Sequence, residues 1–189
     1  MTVSILFVEK DLTTADLLTP SLERQGYAVT VAHTQRQATA HLRSLHPDLL
    51  VMDVASFGIN GYKVCDLIRG RLQGVPTVLL LEEGHAAAGD AAEAFMTPPF
   101  TSRKLLYRVK KVTDQVIRRR IQVGPLALDP QSLALYKGQE AIHLRPKEAA
   151  LLELFMRNQG RVISRREIMK KVWETDYMGD TRTLSVHIR

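Results

Sequence analysis

The chain has 189 residues, 45% of them hydrophobic and 24% charged, so it is long enough for two small domains and has the composition of an ordinary globular protein. The sequence contains no run of about 18 apolar residues, which is the length needed to cross a membrane, and its first residues lack the features of a secretory signal. We therefore expect a cytoplasmic protein without a membrane partner. The single cysteine, Cys65, excludes an internal disulfide and a cysteine-based metal cluster.

The net charge of +6 is unevenly distributed along the chain. Residues 1–117 carry 12 Lys and Arg against 12 Asp and Glu, whereas residues 118–189 carry 14 against 8. The change falls at three consecutive arginines, residues 118–120, which follow a helical pattern. We therefore expect a neutral first domain over residues 1–117, a solvated basic linker over 118–122 and a basic second domain over 123–189.

Strand-like apolar runs alternate with helical patterns through the first domain. The predicted strands are residues 4–8, 27–31, 49–53, 77–81 and 94–96. The predicted helices are residues 12–25, 35–45, 61–73 and 102–117. This repetition predicts an α/β domain with a doubly wound, five-stranded parallel sheet. Residues 82–93 are short and interrupted by glycine, so they predict a stunted or irregular fourth helix, with His85 in an exposed loop.

The second domain begins with β patterns and continues with three helical patterns, which predicts a smaller α+β domain. The β patterns cover residues 121–128, 134–136 and 141–144. Pro146 opens the first helix, which ends at residues 158–160, and Ser164 with Glu167 forms a capping box that starts the second. A third helix starts at residues 180–183 and runs to the end of the chain.

Asp53 closes the apolar run of residues 47–53, which predicts a buried strand that delivers one carboxylate to its C-terminal edge. Ligands and chemistry occupy that edge in open parallel α/β sheets. An aspartate after a strand also commonly caps the following turn, so both interpretations of Asp53 stay open at this point.

The second half resembles response regulators of the OmpR/PhoB type, in which a receiver domain precedes a winged-helix DNA-binding domain. The matching residues are 144–148, 151–152, 160–165, 172–173 and 180–189. The resemblance extends over essentially the whole chain. It implies a two-component transcription regulator that is not an enzyme, binds DNA, forms a homodimer through its receiver and admits a histidine kinase as a partner.

Within the receiver, the resemblance places the phosphoacceptor at Asp53, but neighbouring working positions are altered. Where the family has two acidic residues after the first strand, this chain has Glu9 and Lys10, and Asp11 follows one position later. Leu81 stands where the family has a hydroxyl residue, and Pro98 stands where the family has a lysine. Leucine offers no hydrogen bond to a phosphoryl group, and proline offers neither charge nor N–H.

These changes predict an atypical receiver that supports dimerisation without phosphorylation. The alternative is a phosphorylation-dependent regulator with slow phosphorylation at Asp53. We expect no cofactor, with Mg²⁺ bound weakly or not at all by Glu9 and Asp53. Lys10 either pairs with these carboxylates in place of a metal ion or extends into solvent. Phe95 stands where the family has a switch aromatic, and we expect it to be buried, as a fixed switch or as simple core packing.

The resemblance implies that the third helix of the second domain enters the major groove of DNA. Arg182 and Arg189 are the predicted base or phosphate contacts, with Thr181 at a polar position beside them. Further phosphate contacts are predicted for Arg165, Arg166 and Lys170, although each is also typical of a solvated surface. Leu184 and Ile188 should face the core, and for Val186 core packing is favoured over contact with a thymine methyl group.

Relatives of this type continue beyond the position of Arg189 with the rest of this helix and a β-hairpin wing. We therefore expect an incomplete winged helix, because either the chain is cut short or the domain lacks these elements. Two rival functions also fit parts of the sequence. A flavodoxin-like FMN protein fits the fold, but Glu9 and Asp11 would repel phosphate after the first strand. The second rival function is that of a protein-interaction module with a decayed DNA-binding domain.

Overall fold

A computed structural model describes residues 2–72, 74–82, 92–138, 140–175 and 182–187 of the chain. The chain divides into two compact units, Met1–Arg118 and Arg119–Arg189. The predicted fourth helix and His85 fall almost entirely outside the described residues, as do Thr181, Ile188 and Arg189.

The first unit is built on a parallel sheet whose strand order is β2-β1-β3-β4-β5. Its strands are β1 Ser4–Val8, β2 Ala28–Ala32, β3 Leu49–Asp53, β4 Thr77–Leu80 and β5 Ala94–Met96. Its helices are α1 Leu12–Arg24, α2 Gln35–His41, α3 Gly61–Arg69 and α4 Ser102–Arg119, and a short 3-10 segment, Ala55–Asn60, precedes α3. This topology confirms the predicted doubly wound α/β fold.

The sheet has a hydrophobic core on each face, which explains why its central strands read as nearly continuous apolar runs. Ile5 and Phe7 of β1 pack into one core, whereas Leu6 and Val8 of the same strand pack into the other. Alternate side chains of a strand point to opposite faces, so both sets must be apolar when helices cover both faces.

Two predicted helices of this unit end earlier in the structure than in the sequence pattern. Helix α2 stops at His41 and α3 stops at Arg69, instead of residues 45 and 73. Each continues as a tight turn, in which the N–H of Arg43 donates to Ala40 and that of Arg71 donates to Ile68. Such i to i+3 hydrogen bonds replace the α-helical pattern at helix ends.

The second unit combines an antiparallel four-stranded sheet with three helices. The strands are β6 Ile121–Val123, β7 Leu126–Asp129, β8 Ala134–Lys137 and β9 Glu140–His143, in the order β6-β7-β8-β9. The helices are α5 Pro146–Arg157, α6 Arg165–Val172 and α7 Arg182–His187. The single β run predicted over residues 121–128 is wrong, because Gly124, with φ of 56°, turns the chain between β6 and β7.

The helices of the second unit share one hydrophobic core. It comprises Leu151, Leu154, Ile168, Met169, Val172 and Leu184. The core position predicted for Leu184 is confirmed. The core position favoured for Val186 is wrong, since its side chain is 74% exposed. Two residues along a helix correspond to a rotation of about 200°, which turns Val186 away from the side occupied by Leu184.

The basic segment predicted as a solvated linker is mostly regular secondary structure. Helix α4 continues to Arg119 and β6 begins at Ile121, which leaves one residue between them. The Arg119 guanidinium donates to both carboxylate oxygens of Asp129 at 2.8 to 3.1 Å, and Asp129 is buried. The guanidinium of Arg120 lies 3.9 Å from the centre of the Tyr136 ring. Both arginines therefore contribute to the packing of the second unit.

Candidate functional site

Asp53 and Glu9 lie side by side at the C-terminal edge of the central strands. Asp53 is the last residue of β3, and Glu9 directly follows β1. The two strands are paired in parallel with Val8 opposite Met52, so the next residue of each is brought to the same level of the sheet. Both side chains are almost completely buried, with exposures of 0% for Glu9 and 5% for Asp53.

The two carboxyl groups are difficult to ionise together in this buried position. Burial, together with the nearby Asp53 carboxylate, raises the pKa of Glu9 to about 8. Burial also raises the pKa of Asp53, against the hydrogen bonds that its carboxylate accepts. One of these is from the Ser56 N–H to Asp53 Oδ1, at 3.1 Å. Glu9 therefore keeps its proton near neutral pH.

One oxygen of Glu9 is satisfied and the other is not. Glu9 Oε1 accepts a hydrogen bond from the backbone N–H of Asp11 at 2.8 Å. Glu9 Oε2 is buried and has no hydrogen-bond partner among the described residues. A buried oxygen without a hydrogen-bond partner costs far less free energy on a neutral carboxyl group than on an ionised one. This difference favours keeping the proton on Glu9.

The structure does not bring Lys10 to these carboxylates. Its side chain is exposed, and its ammonium makes no ion pair with any carboxylate in the described part of the chain. Only its backbone N–H reaches the site, where it donates to Ser56 Oγ at 3.3 Å. The interpretation of Lys10 as a substitute for a metal ion is therefore wrong, and the solvent-facing interpretation agrees with the structure.

The Asp11 side chain caps helix α1. Its Oδ1 accepts the Thr14 N–H at 2.7 Å and caps the start of α1. Hydrogen bonds from Thr14 hold the pKa of Asp11 below its usual value. Its carboxylate consequently stabilises the helix instead of completing an acidic cluster with Glu9 and Asp53.

The remaining donor set fits a magnesium ion poorly. Mg²⁺ needs near-octahedral oxygen ligands, and here only two carboxylates converge while a proton competes for them. Glu9 Oε2 is buried without a hydrogen-bond partner among the described residues. In the ranges that the structure describes, no group of three or more His, Cys, Asp or Glu side chains could hold a metal ion.

The two other altered receiver positions offer nothing to a phosphoryl group. Leu81 follows β4, is 1% exposed and packs into the apolar core on the α3 side of the sheet. Pro98 is exposed in the loop after β5. Apolar packing at Leu81 and the imino ring at Pro98 leave no hydroxyl or ammonium at these positions.

Phe95 is not buried, contrary to the prediction. Its side chain is 49% exposed, whereas Ala94 and Met96 on either side are buried. Alternation along β5 explains the difference, since Ala94 and Met96 point into the core on one face and Phe95 points to the other. Neither a permanently buried switch nor core packing describes this residue.

Sequence reasoning missed two features beside Asp53. The first is Ser56, whose hydroxyl donates to the backbone carbonyl of Asp53 at 3.0 Å and ties down the loop after β3. The second is a cavity of about 350 Å³ lined mainly by apolar side chains, among them Val54, Tyr62 and Leu81, together with Glu82. The Glu82 carboxylate contributes to raising the pKa of Asp53. The serine three residues after Asp53 is the only one of these with a signal in the sequence.

The predicted DNA-contacting residues are only partly described. Arg165, Arg166 and Lys170 are exposed on α6, where they lie within two turns of each other. Arg182 begins α7, but its side chain lies outside the described part of the structure, as do Thr181 and Arg189. Three of the six predicted residues are therefore placed together on one exposed helix surface.

Two family models match this chain. Residues 5–110 match the response regulator receiver domain, and residues 138–189 match the C-terminal domain of transcriptional regulatory proteins. The chain belongs to the OmpR/PhoB family of response regulators. This regulator is 32% identical to the alkaline phosphatase synthesis transcriptional regulatory protein SphR of Synechococcus elongatus, over 98% of this chain and 80% of that protein. It is 31% identical to the sensory transduction protein RegX3 of Mycolicibacterium smegmatis, over 98% and 87%.

Solved structures show the same fold. The regulator superimposes on the response regulator DrrB, described as a Thermotoga maritima OmpR/PhoB homolog, with a TM-score of 0.52 and 22% identity over 100% of this chain and 87% of that one. The chemotaxis response regulator CheY4 of Vibrio cholerae gives a TM-score of 0.53 and 20% identity over 59% and 99%. A receiver followed by a smaller winged-helix-like domain is thereby confirmed.

The family membership establishes the general function. The regulator is a DNA-binding response regulator of the two-component type, which makes it a transcription factor and not an enzyme. No helix among the described residues has the length and apolar character needed to span a membrane.

Proposed function

We propose that this regulator controls transcription in the cytoplasm through a receiver that works without phosphorylation at Asp53. The observation that carries the proposal is the buried Leu81 beside Asp53, where the family resemblance implies a phosphoryl-binding hydroxyl. Pro98 likewise replaces the lysine that would neutralise phosphoryl oxygens. An acyl phosphate at Asp53 would therefore lack the side chains that stabilise its charge.

The carboxyl pair adds a second reason. Asp53 attacks a phosphoryl group only as a carboxylate, and it shares a buried site with Glu9, whose pKa is raised to about 8. Adding a dianionic phosphoryl group to this site would introduce charge that no neighbouring described cation balances. Lys10 is the nearest cation in sequence, and its side chain is exposed.

The alternative is slow phosphorylation of Asp53 by a histidine kinase or a small phosphodonor. Its support is positional, since Asp53 ends the central strand at the sheet edge and accepts the Ser56 N–H. The protein is incubated with acetyl phosphate and Mg²⁺, and intact mass is measured over minutes, with Asp53→Asn as the control. We expect no stable adduct. Stoichiometric phosphate on the parent protein, absent from Asp53→Asn, would establish the alternative.

DNA binding is proposed to use two helices of the second unit. Arg182, Arg189 and Thr181 are assigned to the recognition helix, and Arg165, Arg166 and Lys170 to phosphate contacts. Fluorescence anisotropy with duplex DNA at several salt concentrations tests the second group. Lys170→Ala should reduce the salt slope by about 1. The matched control is Lys171→Ala, because Lys171 is the neighbouring cation of the same helix, pairs with Glu167 at 3.2 Å and is not among the assigned phosphate contacts. Equal slopes for the two variants would contradict the assignment of Lys170.

Dimerisation of the receiver stays a prediction, and we assign it to the face formed by the last strand, β5, and the last helix, α4. The exposed Phe95 and Tyr107 support an interface on this face. Glu93, which directly precedes the last strand, accepts the backbone N–H of Thr77 at 2.5 Å, so this carboxylate is engaged within the receiver. Sedimentation at about 100 μM tests the prediction, and a purely monomeric protein would contradict it.

A further inference from the structure

The cavity of about 350 Å³ beside Asp53 lies at the C-terminal edge of the parallel sheet. Its wall includes Val54, which directly follows Asp53, and Leu81, which directly follows β4. Asp53 is paired with Leu80 in the register of β3 and β4, so the two wall residues reach the same level of the sheet. Sites for small organic molecules have volumes of about 300 to 1,000 Å³, and this cavity falls within that range.

The walls of the cavity are mainly apolar and are held in place by the surrounding structure. Leu81 is buried, and Tyr62 packs partly against the same core. Ile59 also lines the cavity and is fully exposed, so the cavity opens to solvent on this side. The segment that carries Ile59 is tied to β3 by the Ser56 hydroxyl, which donates to the carbonyl of Asp53 at 3.0 Å. A small molecule would therefore enter a largely preformed site.

The electrostatic character of the cavity is negative. Glu82 supplies a carboxylate to its wall, and no Lys, Arg or His belongs to the described lining residues. The Glu82 carboxylate is close enough to Asp53 to raise the pKa of Asp53. The aromatic ring of a residue such as Tyr62 also attracts an ammonium group placed over its face. These groups together favour a positively charged ligand.

We propose that this cavity binds a small organic amine with an aromatic or branched aliphatic body. The body lies between Ile59, Tyr62 and Leu81, and the ammonium group lies toward Glu82. A carboxylate has about four acceptor sites, so Glu82 can accept this ammonium in addition to another donor. Burial of the body supplies affinity, and the carboxylate selects the positive charge. The binding site stands by itself, whereas its use as the receiver's input in place of phosphorylation rests on the proposed function.

The same features disfavour other small ligands. A phosphate or an organic acid would meet the Glu82 carboxylate, with no cation among the described lining residues to balance the two charges. A divalent metal ion needs several oxygen ligands, whereas this wall is mainly apolar. A neutral apolar molecule would fill the same space but would gain nothing from the carboxylate. An amine with an apolar body uses both parts of the site.

Isothermal titration calorimetry of the full chain near neutral pH tests the site with three indoles of similar size. Tryptamine carries an ammonium group, tryptophol carries a hydroxyl group and indole-3-propionate carries a carboxylate. We expect tryptamine to bind with a dissociation constant below about 1 mM. Tryptophol should bind about threefold more weakly, which is the effect of an ion pair open to solvent, and indole-3-propionate about tenfold more weakly.

Two substitutions, each with a matched control, locate the binding. Glu82→Gln should reduce the affinity for tryptamine to that for tryptophol, whereas Glu23→Gln, at an exposed glutamate on α1, should preserve the difference. Ile59→Ala should weaken the binding of both indoles about threefold, because it removes part of the apolar wall. Val162→Ala, at an equally exposed β-branched residue of the second unit, should leave both affinities unchanged.

Several results would overturn the proposal, once circular dichroism shows that the variants are folded. One is the absence of saturable tryptamine binding at about 1 mM. Equal binding of tryptophol by the parent protein would show an apolar site without charge selection, and tighter binding of indole-3-propionate would contradict the assigned charge. An equal loss in Glu23→Gln or Val162→Ala would place the binding elsewhere on the chain.

The titrations contain neither Mg²⁺ nor a phosphodonor, so they are independent of the acetyl phosphate experiment. Phosphate on Asp53 together with selective tryptamine binding would refute the proposed function and keep the amine site. An unphosphorylated protein that does not bind tryptamine would refute the amine site and keep the proposed function.

Discussion

Replacing Glu9 with glutamine should stabilise the receiver at alkaline pH and leave it almost unchanged in mild acid. The Glu9 carboxyl is fully buried, and its pKa is raised from 4.5 to about 8, mainly by burial and further by Asp53. Glutamine has nearly the same shape and never ionises.

The sign and size of the effect follow from proton linkage. Between pH 4.5 and about 8, the folded state keeps a proton on Glu9 that the unfolded chain releases. The folded state therefore binds more protons, and the free energy of unfolding falls as pH rises through this window. One proton gives a slope of at most about 1.4 kcal/mol per pH unit. Because the two carboxyls share the site, we expect Glu9→Gln to gain about 1 to 3 kcal/mol at pH 8.

Urea unfolding at pH 5 to 8 can separate the two units in the intact chain. The only tryptophan, Trp173, packs against the core of the second unit, so its fluorescence reports that unit. Far-ultraviolet circular dichroism reports both. Glu9→Gln should shift the unfolding transition of the receiver, which circular dichroism detects and Trp173 fluorescence does not, and it should flatten the pH dependence of that transition. Glu23 is an exposed glutamate on α1, and Glu23→Gln should change neither the transition nor its pH dependence. A Glu9→Gln protein that is less stable than the parent at pH 8 would refute the reasoning.

Two further substitutions test the packing around the site and the junction. Gly61→Ala would place a Cβ 2.1 Å from the carbonyl oxygen of Val54, so it should destabilise the receiver by about 1 to 3 kcal/mol, seen as a lower urea midpoint by circular dichroism. Arg119→Met would leave the buried Asp129 carboxylate without its guanidinium and should cost about 2 to 4 kcal/mol, seen in Trp173 fluorescence. Unchanged midpoints would contradict each prediction.

The sequence was most informative where one physical requirement dominates a segment. Residues 49–52 must be apolar on both faces, and the strand predicted over residues 49–53 has the same bounds as β3. The prediction is wrong where a second signal in the same segment competes with the apolar pattern. Gly124 divides the run predicted over residues 121–128, and its positive φ is a conformation that glycine adopts without strain.

Side-chain directions at the candidate site were harder to predict than its position in the fold. The strand pattern brings Glu9 and Asp53 to one edge, because parallel strands end together. It does not show that Asp11 turns back to cap α1 or that Lys10 faces solvent. Those outcomes depend on a local competition, in which the Thr14 N–H is a nearer partner for Asp11 than any group in the site. Similarly, the exposure of Phe95 depends on which face of β5 is covered, and this requires the tertiary structure.

These local outcomes together determine how the buried acidic pair is neutralised. A metal ion, the Lys10 ammonium or a proton could each offset the charge of Glu9 and Asp53. Asp11 is engaged by Thr14, which weakens the first option, and the exposed Lys10 side chain removes the second. The proton remains, and the raised pKa of Glu9 is its expected signature. A pair neutralised in this way does not need a cation to hold the central strands together, and an anionic phosphoryl group would only add charge to it, which agrees with the proposal that the receiver acts without phosphorylation.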